Sequence, residues 1–136
     1  MTQTITLAGL ATVVAVCCQV SALARSRDLS QAEARELVLA SLDEGVRRLP
    51  GLRVDASDSP DARAFLTFDV TWDNPRGSPV VGSFAVGRAT ADVWRLVYCQ
   101  KLDSKDLRRL QKQVRRRMGV SDHELRELQK VERCPL

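Results

Sequence analysis

The stretch "AFLTFDVTWDNPRGSPVVGSFAVGRATADVW", residues 64–94, decides the fold. Its first nine residues alternate. Ala64, Leu66, Phe68, Val70 and Trp72 point to one side, and Phe65, Thr67, Asp69 and Thr71 to the other. A period of two is that of a strand with one buried face. Asn74-Pro75 and Gly77 are turn residues, so the chain reverses there. "PVVGSFAV", residues 79–86, is a second strand. Pro79 is confined to its start because proline donates no ladder hydrogen bond, and Gly82 is a candidate bulge. "GRATAD" reverses the chain again, and "DVWRLVYC", residues 92–99, reads as a third strand ending at Cys99. Strands joined by such short reversals pair antiparallel. "LRV", residues 52–54, is a candidate short edge strand.

Helices flank this meander. "LSQAEARELVLASLDEGVRRLPG" begins with Ser30 and Glu33 at capping-box spacing, where each side chain satisfies a backbone N–H of the other. Ala34, Leu37, Val38, Ser41, Leu42, Val46 and Leu49 then share one face of a helix that Pro50-Gly51 stops. After the strands, Asp103 or Ser104 caps a second helix with the apolar stripe Leu107, Leu110, Val114 and Met118. Gly119 suits its C-terminal cap. Ser121 and Glu124 start a third helix striped by Leu125, Leu128 and Val131. The expected architecture is α+β: an N-terminal helix packed on a three- to four-stranded antiparallel sheet, followed by two C-terminal helices.

The segment before these elements differs in kind. No charged side chain precedes Arg25, residues 5–16 are mostly apolar or small, and Ala22-Leu23-Ala24 fits a signal-peptidase site. Residues 1–24 therefore read as a signal peptide and residues 25–136 as a single α+β domain. An uncleaved anchor is the alternative, since the apolar run is close to the ~17 residues that span a bilayer. The protein is expected to be secreted or periplasmic. Two of the four cysteines, Cys17 and Cys18, fall in the leader. The remaining pair, Cys99 and Cys134, is expected to form a disulfide, because an even pair in a small exported domain is oxidised.

Catalytic and metal chemistry find little support. The single histidine, His123, falls in the first turn of a helix, where the helix dipole disfavours imidazolium. Two cysteines and one histidine do not complete a tetrahedral zinc set. No phosphate loop, zinc-protease motif or calcium loop is present. No catalytic residue, metal or cofactor is assigned. The alternative is a small hydrolase whose site uses the sheet-end carboxylates Asp69, Asp73 and Asp92.

The charge is uneven. The chain carries a net +4, yet residues 95–117 contain nine Lys/Arg and two Asp. Arg108, Arg109, Lys112, Arg115 and Arg116 are candidate partner-binding residues, as are Trp72, Asp73 and Arg76 at the first sheet turn. A basic face steers anionic partners. For an exported chain these are an extracytoplasmic protein, an anionic polymer or a membrane surface. Nucleic acid is not expected, because no aromatic side chains interleave the charges to stack on bases.

Residues 29–96 resemble the PepSY-type secreted domains. The likeness rests on a helix opening "LSQAEA", a Pro-Gly stop, a strand, a polar turn, and "FAVGRATADVW" where that family shows "hVDxxTGEVW". Phe84 and Val86 match the strand, Arg88-Ala89-Thr90 the turn, and Asp92-Val93-Trp94 the next strand. Gly87 stands where the family has Asp, and Ala91 where it has the turn glycine. The helix-then-meander order also resembles cystatin-like folds, without their Gln-Val-Gly loop. The resemblance implies a non-catalytic role as an inhibitor or accessory binding module. Taken together, the reading is an exported binding protein: an inhibitor, immunity or accessory factor for an extracytoplasmic enzyme or polymer.

Overall fold

The computed structural model describes residues 28–135. The leader expectation, with Cys17 and Cys18, lies outside them. Helix α1, Gln31–Ser41, starts with the expected capping box. The Ser30 hydroxyl accepts from the Glu33 N–H at 3.2 Å, and the Glu33 carboxylate accepts from the Ser30 N–H at 3.0 Å. Ala34, Leu37 and Val38 are buried.

The single long helix read from the sequence is in fact broken. Leu42 has extended backbone and caps α1, and a separate short helix α2 covers Glu44–Arg47. The Ser41 hydroxyl donates to the Val38 carbonyl at 2.7 Å, a local bond that competes with continued helix. The break lets Leu42 turn fully into the core, at 3% exposure.

The sheet has five antiparallel strands in sequence order, one more than the upper expectation. They are β1 (Arg53–Ser57), β2 (Phe65–Thr71), β3 (Val80–Gly87), β4 (Val93–Arg95) and β5 (Gln100–Lys101). The edge strand expected at residues 52–54 is β1, and it runs on to Ser57. The bulge expected near Gly82 is a register shift: Val70 pairs with Gly82 but Thr71 with Val80, leaving Val81 unmatched.

The expected third strand does not reach Cys99. β4 ends at Arg95, residues Leu96–Tyr98 form a 3-10 turn, and Cys99 takes a left-handed backbone with φ 44°. The chain thereby folds back on itself, so that Trp94 pairs with Lys101 and Arg95 with Gln100. Val97 and Tyr98 stand in solvent on this turn.

Helix α3, Lys105–Met118, lies antiparallel to α1. Its N-cap Ser104 reaches the Ala40 carbonyl at the end of α1, and Arg117 near its C-terminus binds Glu33 at the start of α1. Together the two helices cover one sheet face. Phe68, Val70, Phe84, Val86 and Val93 meet Leu37, Val38, Leu107, Val114 and Met118 there. The buried stripe of α3 includes Gln111, while Leu110 is only half-buried. Gly119, with φ 74°, ends α3 as expected, since only glycine takes that backbone without strain.

The second face was expected to be exposed, and at the start of β2 it is not. Phe65 and Thr67 are both buried, at 5% and 3% exposure. Phe65 shares a depression with Val131, Cys134 and Pro135, so the C-terminal segment returns across this end of the sheet. Trp72 and Trp94 are half-buried. Trp72 lies one residue beyond β2, at the rim, and Trp94 sits with its ring 5.3 Å from the Lys101 ammonium.

Helix α4, Asp122–Val131, contributes no fully buried residue, and Val131 is 73% exposed. Its attachment is covalent and polar instead. Cys99 and Cys134 are disulfide-bonded, with Cα atoms 5.6 Å apart. Closing a loop of this length contributes about 3–4 kcal/mol in chain-entropy terms. Reducing the bond, or making Cys99→Ser with Cys134→Ser, should lower stability by roughly that amount. Amide exchange should accelerate first in α4 while α1 and α3 stay protected. Uniform acceleration across all helices would contradict this account of how α4 is held.

Candidate functional site

A buried polar cluster is built on the reversal between β3 and β4. The Gly87 N–H donates to the Asp92 carbonyl and the Ala91 N–H to the Gly87 carbonyl, at 2.9 and 2.8 Å. Ala91 has φ 56°, a left-handed backbone that disfavours a side chain, yet its methyl is fully buried in the core. This is the position where the PepSY pattern has glycine. Here the buried methyl offsets part of the backbone cost. The Gln111 amide secures the turn by donating to the Ala91 carbonyl at 3.0 Å.

Asp92, 3% exposed, is the centre of the cluster. One carboxylate oxygen accepts from Arg115 at 2.8 Å. The other accepts from Lys101 at 2.9 Å and from the Gln129 amide at 2.8 Å. Arg115 also donates through Nε to the Thr90 carbonyl at 2.6 Å. A carboxylate buried this deeply is tolerated only when paired and hydrogen-bonded. Its partners come from β5, α3 and α4, so one side chain ties three elements to the start of β4.

Glu132 lies beside it. The Thr90 hydroxyl donates to one of its oxygens at 2.6 Å and the Trp94 indole N–H to the other at 3.2 Å. A Cβ on Gly87 would collide with the Glu132 carboxylate and the Thr90 hydroxyl, so glycine makes room for both. The Glu132 carboxyl is raised above the ordinary carboxylate range. Burial is the main cause, and Asp92 adds repulsion; the bonds from Thr90 and Trp94 and the charge of Lys101 only partly offset them. For Glu33, burial likewise pushes upward. The bonds from the Ser30 hydroxyl and N–H and from Arg117 outweigh it, and the carboxyl ends below the ordinary range.

The basic candidates on α3 separate into two kinds. Arg115 is turned inward onto Asp92, with 16% of its side chain exposed. Arg108, Arg109, Lys112 and Arg116 are exposed. Arg108 pairs with Asp103 through one Nη, at 2.7 Å to each oxygen. Arg109 lies 4.0 Å from Asp106. Arg108, Lys112, Arg115 and Arg116 line a groove of about 480 Å³ between α3 and α4, whose other walls are Val120, Asp122 and Leu125.

Trp72, Asp73 and Arg76 form no common surface with the Arg115–Arg116 end of α3. They follow β2 at the far end of the eight-residue β3 from Asp92, a span of roughly 24 Å at ~3.4 Å per residue. Asp73 is paired there with Arg53 at 3.0 Å. The hydrolase alternative needs Asp69, Asp73 and Asp92 to come together, and they do not, although Asp55 stands opposite Asp69 across β1 and β2 and Glu132 lies beside Asp92. Asp69 accepts from Ser83 at 2.6 Å in mid-sheet, Asp73 lies at one end, and Asp92 at the other. His123 is exposed in the first turn of α4. Among the described residues no three His, Cys, Asp or Glu come together as a metal site. Nor is any helix among them long and apolar enough to cross a membrane.

The Asp92–Glu132 cluster was not read from the sequence. Its one legible signal is Gln111, a polar residue four positions after Leu107 on the buried stripe of α3.

Two outcomes follow from this geometry. Asp92→Asn leaves Arg115 without a counter-charge and should cost about 3–5 kcal/mol in urea denaturation. A loss below 1 kcal/mol would show that the cluster is not structural. Because the folded state of Glu132 holds its proton more tightly than the unfolded chain, its contribution to stability falls as pH rises above the ordinary carboxylate value. Glu132→Gln should therefore gain stability relative to the native chain on going from pH 5 to pH 7.5. A pH-independent difference between the two proteins would refute the assignment.

No protein-family model and no curated protein matches the sequence. Among solved structures, the chain is similar to one in a type VI secretion system effector-immunity complex from Pseudomonas protegens. The two are 23% identical, with a TM-score of 0.61, over 77% of this chain and 90% of that one. At that identity the likeness establishes a shared fold: the helix, antiparallel sheet and C-terminal helices described above are an arrangement this chain has in common with a member of that complex.

Proposed function

We propose that this protein is an exported, non-catalytic immunity-type protein that works by binding a protein partner outside the cytosol. The fold likeness to a chain of an effector-immunity complex carries the reading. Export is supported by the leader-like first 24 residues and by the Cys99–Cys134 disulfide, which persists in an oxidising compartment. Binding rather than hydrolysis is supported by the three sheet carboxylates, each held by a separate partner. The PepSY resemblance points the same way, toward an inhibitor or accessory module.

An immunity protein works by occupancy, so its fold must be rigid and its contact surface preformed. The cluster at Asp92 and the disulfide both serve rigidity. They fix α3 and α4 against the sheet, and α3 presents Arg108, Arg109, Lys112 and Arg116 to solvent.

The decisive test is a competition assay in the producing bacterium. A strain lacking the gene should be outcompeted by its isogenic parent, and only when the parent's type VI apparatus is functional. The full chain should restore survival, and a version without residues 1–24 should not. Equal survival of the deletion strain would refute the immunity reading. Rescue by the leaderless version would place the protective site in the cytosol.

A further inference from the structure

We infer that the exposed cationic stripe of α3 is the partner-binding surface and that it receives an acidic face of another protein. This deepens the immunity reading and rests on it for the class of partner. Lys105, Arg109, Lys112 and Arg116 recur at spacings of four, three and four residues, which places them along one side of the helix, and all are exposed. The stripe is about 16 Å long at ~1.5 Å per residue. Among the described residues Lys105, Lys112 and Arg116 have no ion-pair partner, and Arg109 has only the 4.0 Å approach of Asp106.

This arrangement works against the helix. Lys105/Arg109, Arg108/Lys112 and Lys112/Arg116 are like-charge pairs four residues apart, which repel. Lys105 also opens the helix, at the positive end of its dipole. The cations that stabilise the fold are others: Arg115 on Asp92 and Arg117 on Glu33. Arg116 lies in the last turn, where a cation suits the helix dipole, but local stability does not account for Lys105, Arg109 and Lys112, whereas an anionic partner does.

The surroundings select a protein over a lipid or nucleic-acid surface. The adjoining groove is lined by the half-buried apolar side chains of Val120 and Leu125, with Asp122 at its edge. Val120 and Leu125 can seat an apolar side chain between flanking carboxylates of a partner. The exposed carboxylates Asp103, Asp106 and Asp122 interrupt the cations and would be repelled by a uniformly anionic bilayer or phosphate backbone. The apolar stripe of α3 is buried against the sheet, so the helix has no free apolar face with which to enter a membrane.

The test uses the quadruple variant Lys105→Gln, Arg109→Gln, Lys112→Gln, Arg116→Gln. The native protein should bind poly-L-glutamate, and the variant at least about tenfold more weakly at low salt. Its melting temperature should be unchanged or raised, because repulsion is relieved. Vesicles containing phosphatidylglycerol should bind the native protein less well than poly-L-glutamate at equal charge. Stronger binding to the vesicles would overturn the choice of a protein partner. Equal poly-L-glutamate binding by variant and native chain would overturn the stripe itself. In the competition assay, rescue by the native chain but not by the variant supports the surface; rescue by both overturns it and leaves the immunity reading standing. If neither rescues while poly-L-glutamate binding still depends on the stripe, the immunity reading fails and the surface stands.

Discussion

One buried carboxylate organises this molecule. Asp92 sits where β3 has turned back into β4, and it is paired with cations from β5 and α3 and hydrogen-bonded to an amide from α4. Those elements share little apolar contact beyond the face covered by α1 and α3. Their positions depend on donors that converge on two oxygens. A buried ion pair contributes little net stability over a hydrophobic replacement, but a misplaced partner is heavily penalised. Its physical effect here is to fix one arrangement: α3 can slide or rotate on the sheet only by leaving a charge unpaired in the interior.

The neighbouring turn shows the same economy. Ala91 accepts an unfavourable backbone because its methyl fills the core, and Gly87 gives up a side chain because Glu132 occupies the space. Gly87 thus has its cause in the C-terminal half of the chain. The turn and the tail are thus fitted to each other, although more than forty residues separate Thr90 from Glu132.

The parts legible in the sequence were those governed by short-range rules. The Ser30–Glu33 capping box, the alternation of Leu66, Phe68 and Val70, the glycine that ends α3, and the pairing of the last two cysteines are all present in the structure. The misread parts depend on distant contacts. The apolar periodicity runs unbroken past Leu42, so it hides the break that the Ser41 hydroxyl favours and the core exploits. Nothing in "VWRLVYC" shows that the chain will fold back on itself at Cys99. The alternation in β2 suggested one buried face because the tail that covers Phe65 lies more than sixty residues away. Among the binding candidates, the sequence placed Arg115 with Arg116 on one charged run. Only the fold distinguishes the arginine that faces Asp92 from the one that faces solvent.

The two borders of the sheet are unlike. β5 is a two-residue stub whose continuation is pinned by the nearby disulfide, so it offers almost no unpaired backbone. β1 is five residues long with its outer side uncovered by any further strand, and it carries Arg53 and Asp55 in solvent. Among the described residues, growth of the sheet by an added strand is therefore open on the β1 flank, where charged side chains are a common natural safeguard against self-association. Neutralising those two charges would remove that safeguard and turn this border into a template for stacking.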